Sequence, residues 1–295
     1  MKSIQKWVVP ALLLVVTGAL YAQVYTTPNI YFEEWYQINS AAANLDGRTS
    51  VMASSNISSS GIEGAPLSNG ILFRTGITGE MGAGLRLNRD ERGNFRATSM
   101  VASYAYRVQV LSEHNIHFGL SLGVNSQNFV LSQIDVFDTE DPLLQAGDNR
   151  KNLLMNEVGV HYRWNALQAG VAANYLIQKY NHFIGYATYS YPIPGVEKLY
   201  VAPYLLYQQL PEITGQLDLS LKVGYDMFWC SYSYKTNKDM VAAFGVSYFN
   251  FDLAYGYKFN RSDLASVVSC ANQIILRYNF KESGGGKADK KPWEQ

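Results

Sequence analysis

The feature that most constrains this chain is a two-residue alternation of side-chain character, seen most cleanly in its last strand-like stretch. Ile274, Leu276, Tyr278 and Phe280 fall on one face, and Gln273, Arg277 and Asn279 fall on the other, with Ile275 out of step. Successive side chains of a β-strand point to opposite faces, so this period predicts a strand with two unlike surfaces. The pattern recurs along most of the chain. Ile116, Phe118, Leu120, Leu122 and Val124 alternate with His117, Gly119, Ser121, Gly123 and Asn125. Leu217, Leu219, Leu221 and Val223 alternate with Asp218, Ser220, Lys222 and Gly224. Comparable runs carry Arg86 opposite Leu85 and Leu87, Arg107 opposite Tyr106 and Val108, and His161 opposite Val160 and Tyr162.

The second face separates two all-β architectures. A soluble sandwich also alternates, but its outer face meets water and favours Thr, Lys and Glu. Here that face is rich in Gly, Ser and Ala with scattered charges, as suits a crowded or watery interior. The apolar face is extensive and carries aromatic residues near the strand ends, where interfacial girdles sit. Composition agrees: charged residues are 16% of the chain and aromatics 14%, against roughly 25% charged in soluble domains. The predicted fold is a transmembrane antiparallel β-barrel of about fourteen strands, centred near Met52, Ile71, Ala83, Ser103, Ser121, Val160, Val171, Tyr186, Tyr204, Leu219, Tyr232, Val246, Tyr255 and Ile275. The stretches near Met52, Ile71 and Tyr186 alternate poorly.

Residues 1–22 read as a secretory signal peptide, with Lys2 and Lys6 ahead of an apolar run that ends in small residues. Residues 23–47 are not strand-like; Ile30, Phe32, Trp35 and Ile38 suggest a short amphipathic turn or helix at the periplasmic mouth or in the lumen. The barrel is expected over 48–280 and a flexible periplasmic tail over 281–295. With a periplasmic start, the longest connection, Phe129 to Arg150, falls outside the cell, and short turns such as Asn165–Ala166 and Phe249–Asn250 fall on the periplasmic side. The expected location is the outer membrane, with lipid as the immediate surroundings.

The residues nominate no catalytic chemistry. The four histidines lack metal-ligand spacing, no nucleophile elbow appears, and Cys230 and Cys270 form no redox or metal motif. A formal net charge of zero gives no case for nucleic acid. No cofactor is implied. Arg86, Arg107, His117, His161, Asp218, Lys222 and Arg277 are the candidate lumen-lining residues, charged or titratable groups that neutralise one another or line a passage. Ile274, Leu276, Tyr278 and Phe280 are the candidate assembly strand. Because water or polar neighbours can replace a luminal side chain, the substitution Arg277→Gln is expected to be milder than Leu276→Arg or Phe280→Ala.

Several segments resemble the PorP/SprF family of type IX secretion outer-membrane proteins: Ile38-Asn39-Ser40-Ala41, Gly64-Ala65-Pro66, Gly82-Ala83-Gly84-Leu85 followed by Asp90-Glu91-Arg92-Gly93, Tyr104-Ala105-Tyr106-Arg107, Trp229-Cys230-Ser231-Tyr232, and the run from Tyr255-Gly256-Tyr257 through Ser262-Asp263-Leu264 to Phe280. An Arg-x-Gln-Trp segment and a His-Glu pair usual in the family are missing. The resemblance implies a non-enzymatic barrel that helps export or surface-anchor cargo such as gliding adhesins. It also implies contact with the periplasmic ring of the secretion machine and with C-terminal signal domains of cargo. The alternative from periodicity alone is a channel for small or hydrophobic solutes of the fatty-acid-transporter type; a barrel enzyme is a third reading.

Overall fold

The computed structural model describes residues 27–58, 64–129, 150–178, 182–210, 215–260 and 270–280. The expected signal peptide, the expected tail and most of the longest connection lie outside these residues. The strands are β1 (Ser50–Ser58), β2 (Leu67–Gly76), β3 (Met81–Arg92), β4 (Phe95–Leu111), β5 (His114–Phe129), β6 (Lys151–Trp164), β7 (Leu167–Asn174), β8 (His182–Tyr189), β9 (Tyr191–Pro192), β10 (Leu199–Gln209), β11 (Gln216–Tyr225), β12 (Phe228–Lys235), β13 (Asp239–Tyr248), β14 (Phe251–Asn260) and β15 (Cys270–Asn279). The two residues of β9 keep the register of β8 against β10 after a break at Ser190, so β8 and β9 act as one strand. All neighbours are antiparallel, and β1 pairs with β15 from Ser50↔Asn279 to Ser58↔Ala271. The result is a closed barrel of fourteen strands. Closure satisfies every strand edge, which hydrocarbon demands because it offers no hydrogen-bond partner.

Connections differ between the two ends. One end, here the turn end, has two-residue hairpins at Ser112–Glu113, Asn165–Ala166, Asp226–Met227 and Phe249–Asn250. Asn165, Asp226 and Phe249 take positive φ there, at 48°, 52° and 52°, as tight hairpin turns require. The other, loop end carries the longer connections 59–66, 130–150, 175–181, 210–215 and 261–269 beside the short ones 93–94 and 236–238. Ser50 and Asn279 both lie at the turn end.

Outward faces are apolar. Leu120, Leu122, Leu219, Leu221, Ile274 and Leu276 are each about half exposed, as side chains facing lipid are in the absence of lipid. Cys230 is exposed on the outer face and both cysteines are free; a strand-to-strand spacing of ~4.8 Å keeps β12 and β15 out of disulfide reach. Placing arginine at Leu276, in the middle of the outward apolar run of β15, should lower stability by roughly 2–4 kcal/mol. Heat-modifiable gel mobility of outer-membrane fractions reads the loss of folded barrel; a wild-type folded level would put Leu276 on the wrong face.

Three strands alternate poorly in sequence because large apolar residues interrupt their inner faces and small or polar ones, such as Ala53, Ser55, Asn69 and Gly185, interrupt their outer faces. Met52, Leu72, Ile184 and Tyr186 point inward and are 1–4% exposed. What they meet is the segment before β1.

Candidate functional site: a plugged lumen

Residues 27–46 run inside the barrel. Three short 3-10 turns, Tyr31–Glu33, Trp35–Gln37 and Ser40–Asn44, shape the segment. The Glu34 side chain accepts from Tyr36 N, and the Asn39 side chain accepts from Ala41 N at 2.9 Å, each satisfying an amide the turn leaves open. Ile30, Tyr31, Tyr36, Ile38 and Ala41 are fully buried. The segment expected as a one-sided amphipathic turn is instead buried on apolar and polar faces alike, because wall surrounds it.

The direction of the thread is fixed by its partners. Thr27 Oγ1 donates to Gln208 near the loop end of β10. Ile30 N donates to Gln273 Oε1 (3.0 Å), Tyr31 meets Ser220 Oγ (3.2 Å), and Tyr36 Oη donates to Ser103 Oγ (2.8 Å) farther down. Asp46 pairs with Arg74 close to the turn end, just before β1 begins. The segment thus crosses the lumen from loop end to turn end.

One side of the contact is aromatic. Trp35 stacks on Tyr186 with centroids 4.1 Å apart and planes at 9°. Phe32 packs on Tyr204 and Trp229 at 5.0 and 5.8 Å. Glycines supply the other side. An added Cβ would overlap the Tyr36 ring at Gly84, Asn39 Oδ1 at Gly159, and Ala41 N at Gly119. The small inward residues make the room that the plug fills.

Charges join plug to wall. Lys222 Nζ lies 2.6 Å from Glu33 Oε1 and 4.3 Å from the Trp229 ring centroid. Glu34 Oε2 accepts from Arg74 Nε at 3.1 Å and from Arg277 Nη1 at 3.5 Å. Arg74 is on β2 and Arg277 on β15, so one plug carboxylate bridges the two strands flanking β1 at the closing seam. Arg277 also donates to Asp252 Oδ2 (2.9 Å) and to the Glu33 carbonyl. Arg86 donates to the carbonyls of Tyr36 (3.2 Å) and Gln37 (3.1 Å) and pairs with Glu157, whose other oxygen accepts from Ser40 N.

The candidate residues from the sequence divide accordingly. Arg86, Lys222 and Arg277 bind the plug. His117 and His161 are buried Cα partners on β5 and β6, edge to face at 5.9 Å, with His161 Nδ1 2.7 Å from Tyr186 Oη. Asp218 pairs with Lys235 of the neighbouring strand at 3.1 Å. Arg107 is half-buried near the turn end, where its amide donates to Glu80 O. Among the described residues no group of His, Cys, Asp or Glu is arranged to hold a metal ion. Sequence reasoning missed the acidic partners Glu33, Glu34 and Asp46 and the wall residue Arg74. The available signals were two adjacent acids in an apolar segment and the inward apolar residues that break the alternation.

Residues 21–278 match the family described as "Type IX secretion system membrane protein PorP/SprF". The chain belongs to the PorP/SprF family. It is an outer-membrane component of the type IX secretion system, in a family of secretion-system membrane barrels and not of enzymes, and membership implies contact with other secretion components. No curated protein matches it in sequence. Among solved structures, a TodX deltaS2S3 mutant, a monoaromatic hydrocarbon channel, aligns over 86% of this PorP/SprF chain and 95% of its own at 11% identity and TM-score 0.53. A double mutant of Rh. blastica porin aligns over 79% of this chain and 99% of its own at 8% identity and TM-score 0.39. CdiB from Acinetobacter baumannii gives TM-score 0.44 at 6% identity over 79% of this chain, which spans 60% of CdiB. At these identities the TodX likeness shows the barrel fold alone.

Proposed function

We propose that this PorP/SprF protein is a closed outer-membrane anchor that helps export or surface-attach cargo, including adhesin-like proteins, and contacts the periplasmic ring of the secretion machine. The reading that the barrel is a channel for small or hydrophobic solutes is the alternative. The observation that favours the anchor is the plug, whose buried aromatics and ion pairs occupy the lumen and leave the outer wall and the two ends for partners. Recognition of cargo C-terminal signal domains belongs to the same reading and rests on the family.

The deciding experiment joins co-purification with conductance. Native protein pulled from outer membrane in mild detergent should bring periplasmic ring components or a large adhesin, and purified barrel should be silent in planar bilayers. Solute flux through the unaltered barrel, with no secretion component retained, would leave the channel reading standing.

Orientation follows the same logic. With the loop end outside the cell, the plug enters the lumen from that side although β1 begins at the periplasmic side. A short epitope inserted immediately before Thr27 should bind antibody on intact cells. Binding only after the outer membrane is permeabilised would invert the barrel or the thread.

A further inference from the structure

The outer wall carries a recess of its own. At mid-length β1 presents only Ala53 and Ser55 outward, between Ile274 and Leu276 of β15 on one side and Ile71 and Leu87 of β2 and β3 on the other. The small side chains leave a groove of about 580 Å³ with apolar walls. At its loop end the pairing registers set Ser55, Asn69, Arg89 and Thr98 side by side, which makes a polar row directly above the apolar one.

Cations follow that row. Arg89 Nε lies 2.6 Å from Glu91 Oε1, and Glu91 is the Cα partner of Arg96. Ser126, the partner of Thr98, accepts from Arg150 Nε at 2.9 Å. Among the described residues, three guanidinium groups thus border this edge against the one carboxylate of Glu91. Glu91 engages Arg89 through Nε, and a guanidinium offers five N–H donors in a fixed fork.

We propose that the groove holds an acyl chain of an anionic, phosphate-bearing lipid from the leaflet at the loop end, with the phosphate against Arg89 and Arg96. Apolar walls at membrane depth admit a hydrocarbon occupant. A closed barrel offers no free strand edge for a protein segment to pair with. The arginines at one end of the groove select the headgroup, because arginine binds phosphate through paired, charge-assisted hydrogen bonds. This inference stands apart from the secretion role.

The test is native mass spectrometry of the full chain released from nanodiscs containing equal phosphatidylglycerol and phosphatidylcholine with identical acyl chains. The unaltered protein should retain phosphatidylglycerol in preference. The double variant Arg89→Ala, Arg96→Ala should weaken retention roughly tenfold, the size of one lost charge-assisted hydrogen bond. Ala53→Leu, which fills the groove with a side chain suited to lipid, should weaken retention as well. Equal retention of the two lipids by the unaltered protein overturns the proposal, and that comparison needs no variant to fold. Retention unchanged in either variant, with heat-modifiable mobility intact, reduces the groove to ordinary boundary lipid. Inorganic phosphate held as well as the lipid assigns the arginines to a free anion, and a protein cross-linked to Ala53→Cys in place of lipid assigns the groove to a partner; both overturn it.

Discussion

Removing the Glu34 carboxylate should cost the barrel roughly 3–5 kcal/mol, the range found when one partner of a buried ion pair is deleted. Its side chain is 4% exposed and serves two arginines, on β2 and on β15. The low end of the range is expected for Glu34→Gln, because Arg74 keeps Asp46, Arg277 keeps Asp252, and an amide oxygen still accepts from Tyr36 N. Glu34→Ala loses that acceptor too and should cost more. The same geometry argues against the expectation that Arg277→Gln is milder than Leu276→Arg. Water has little access to this part of the lumen, and a glutamine there leaves Asp252 and Glu34 with less opposing charge, so a loss of about 3 kcal/mol is expected. Urea titration of heat-modifiable mobility gives the stabilities. Because Glu34 and Arg277 touch, the double variant Glu34→Ala, Arg277→Ala should cost clearly less than the two single losses added together. Strict additivity, or a wild-type midpoint for Glu34→Ala, would show that the plug does not clamp the seam.

A second large effect is expected at Gly119. A Cβ there would overlap Ala41 N and the Ser40 carbonyl carbon, both backbone atoms that cannot swing aside. Gly119→Val therefore displaces the plug or the strand, and overpacking of this kind costs about 1–3 kcal/mol or more. The expected outcome is a drop in folded barrel together with measurable conductance from the fraction that still folds. Gly185→Ala is the control, since its new methyl meets nothing nearer than Val171 Cγ1 at 4.0 Å. A folded, silent Gly119→Val barrel would contradict the placement of the plug against β5.

The barrel was legible in the sequence because each strand records its own surroundings. Leu219 and Leu221 face lipid while Asp218, Ser220 and Lys222 face inward, and that contrast needs no knowledge of any other strand. Strand number and antiparallel order follow from short connections between such stretches, and the motifs around Tyr104-Ala105-Tyr106-Arg107 and at the chain's last strand carried the family. The plug was not legible, because its stabilising contacts are non-local. Glu33 finds Lys222, Glu34 finds Arg74 and Arg277, and Trp35 finds Tyr186 only once the strands have closed around them. A segment of 3-10 turns has too short a repeat to display a face, and inside a lumen every face is buried. Local alternation determined which side chains meet lipid. Tertiary structure alone decided that the lumen is filled, since that depends on which distant side chains share one interior.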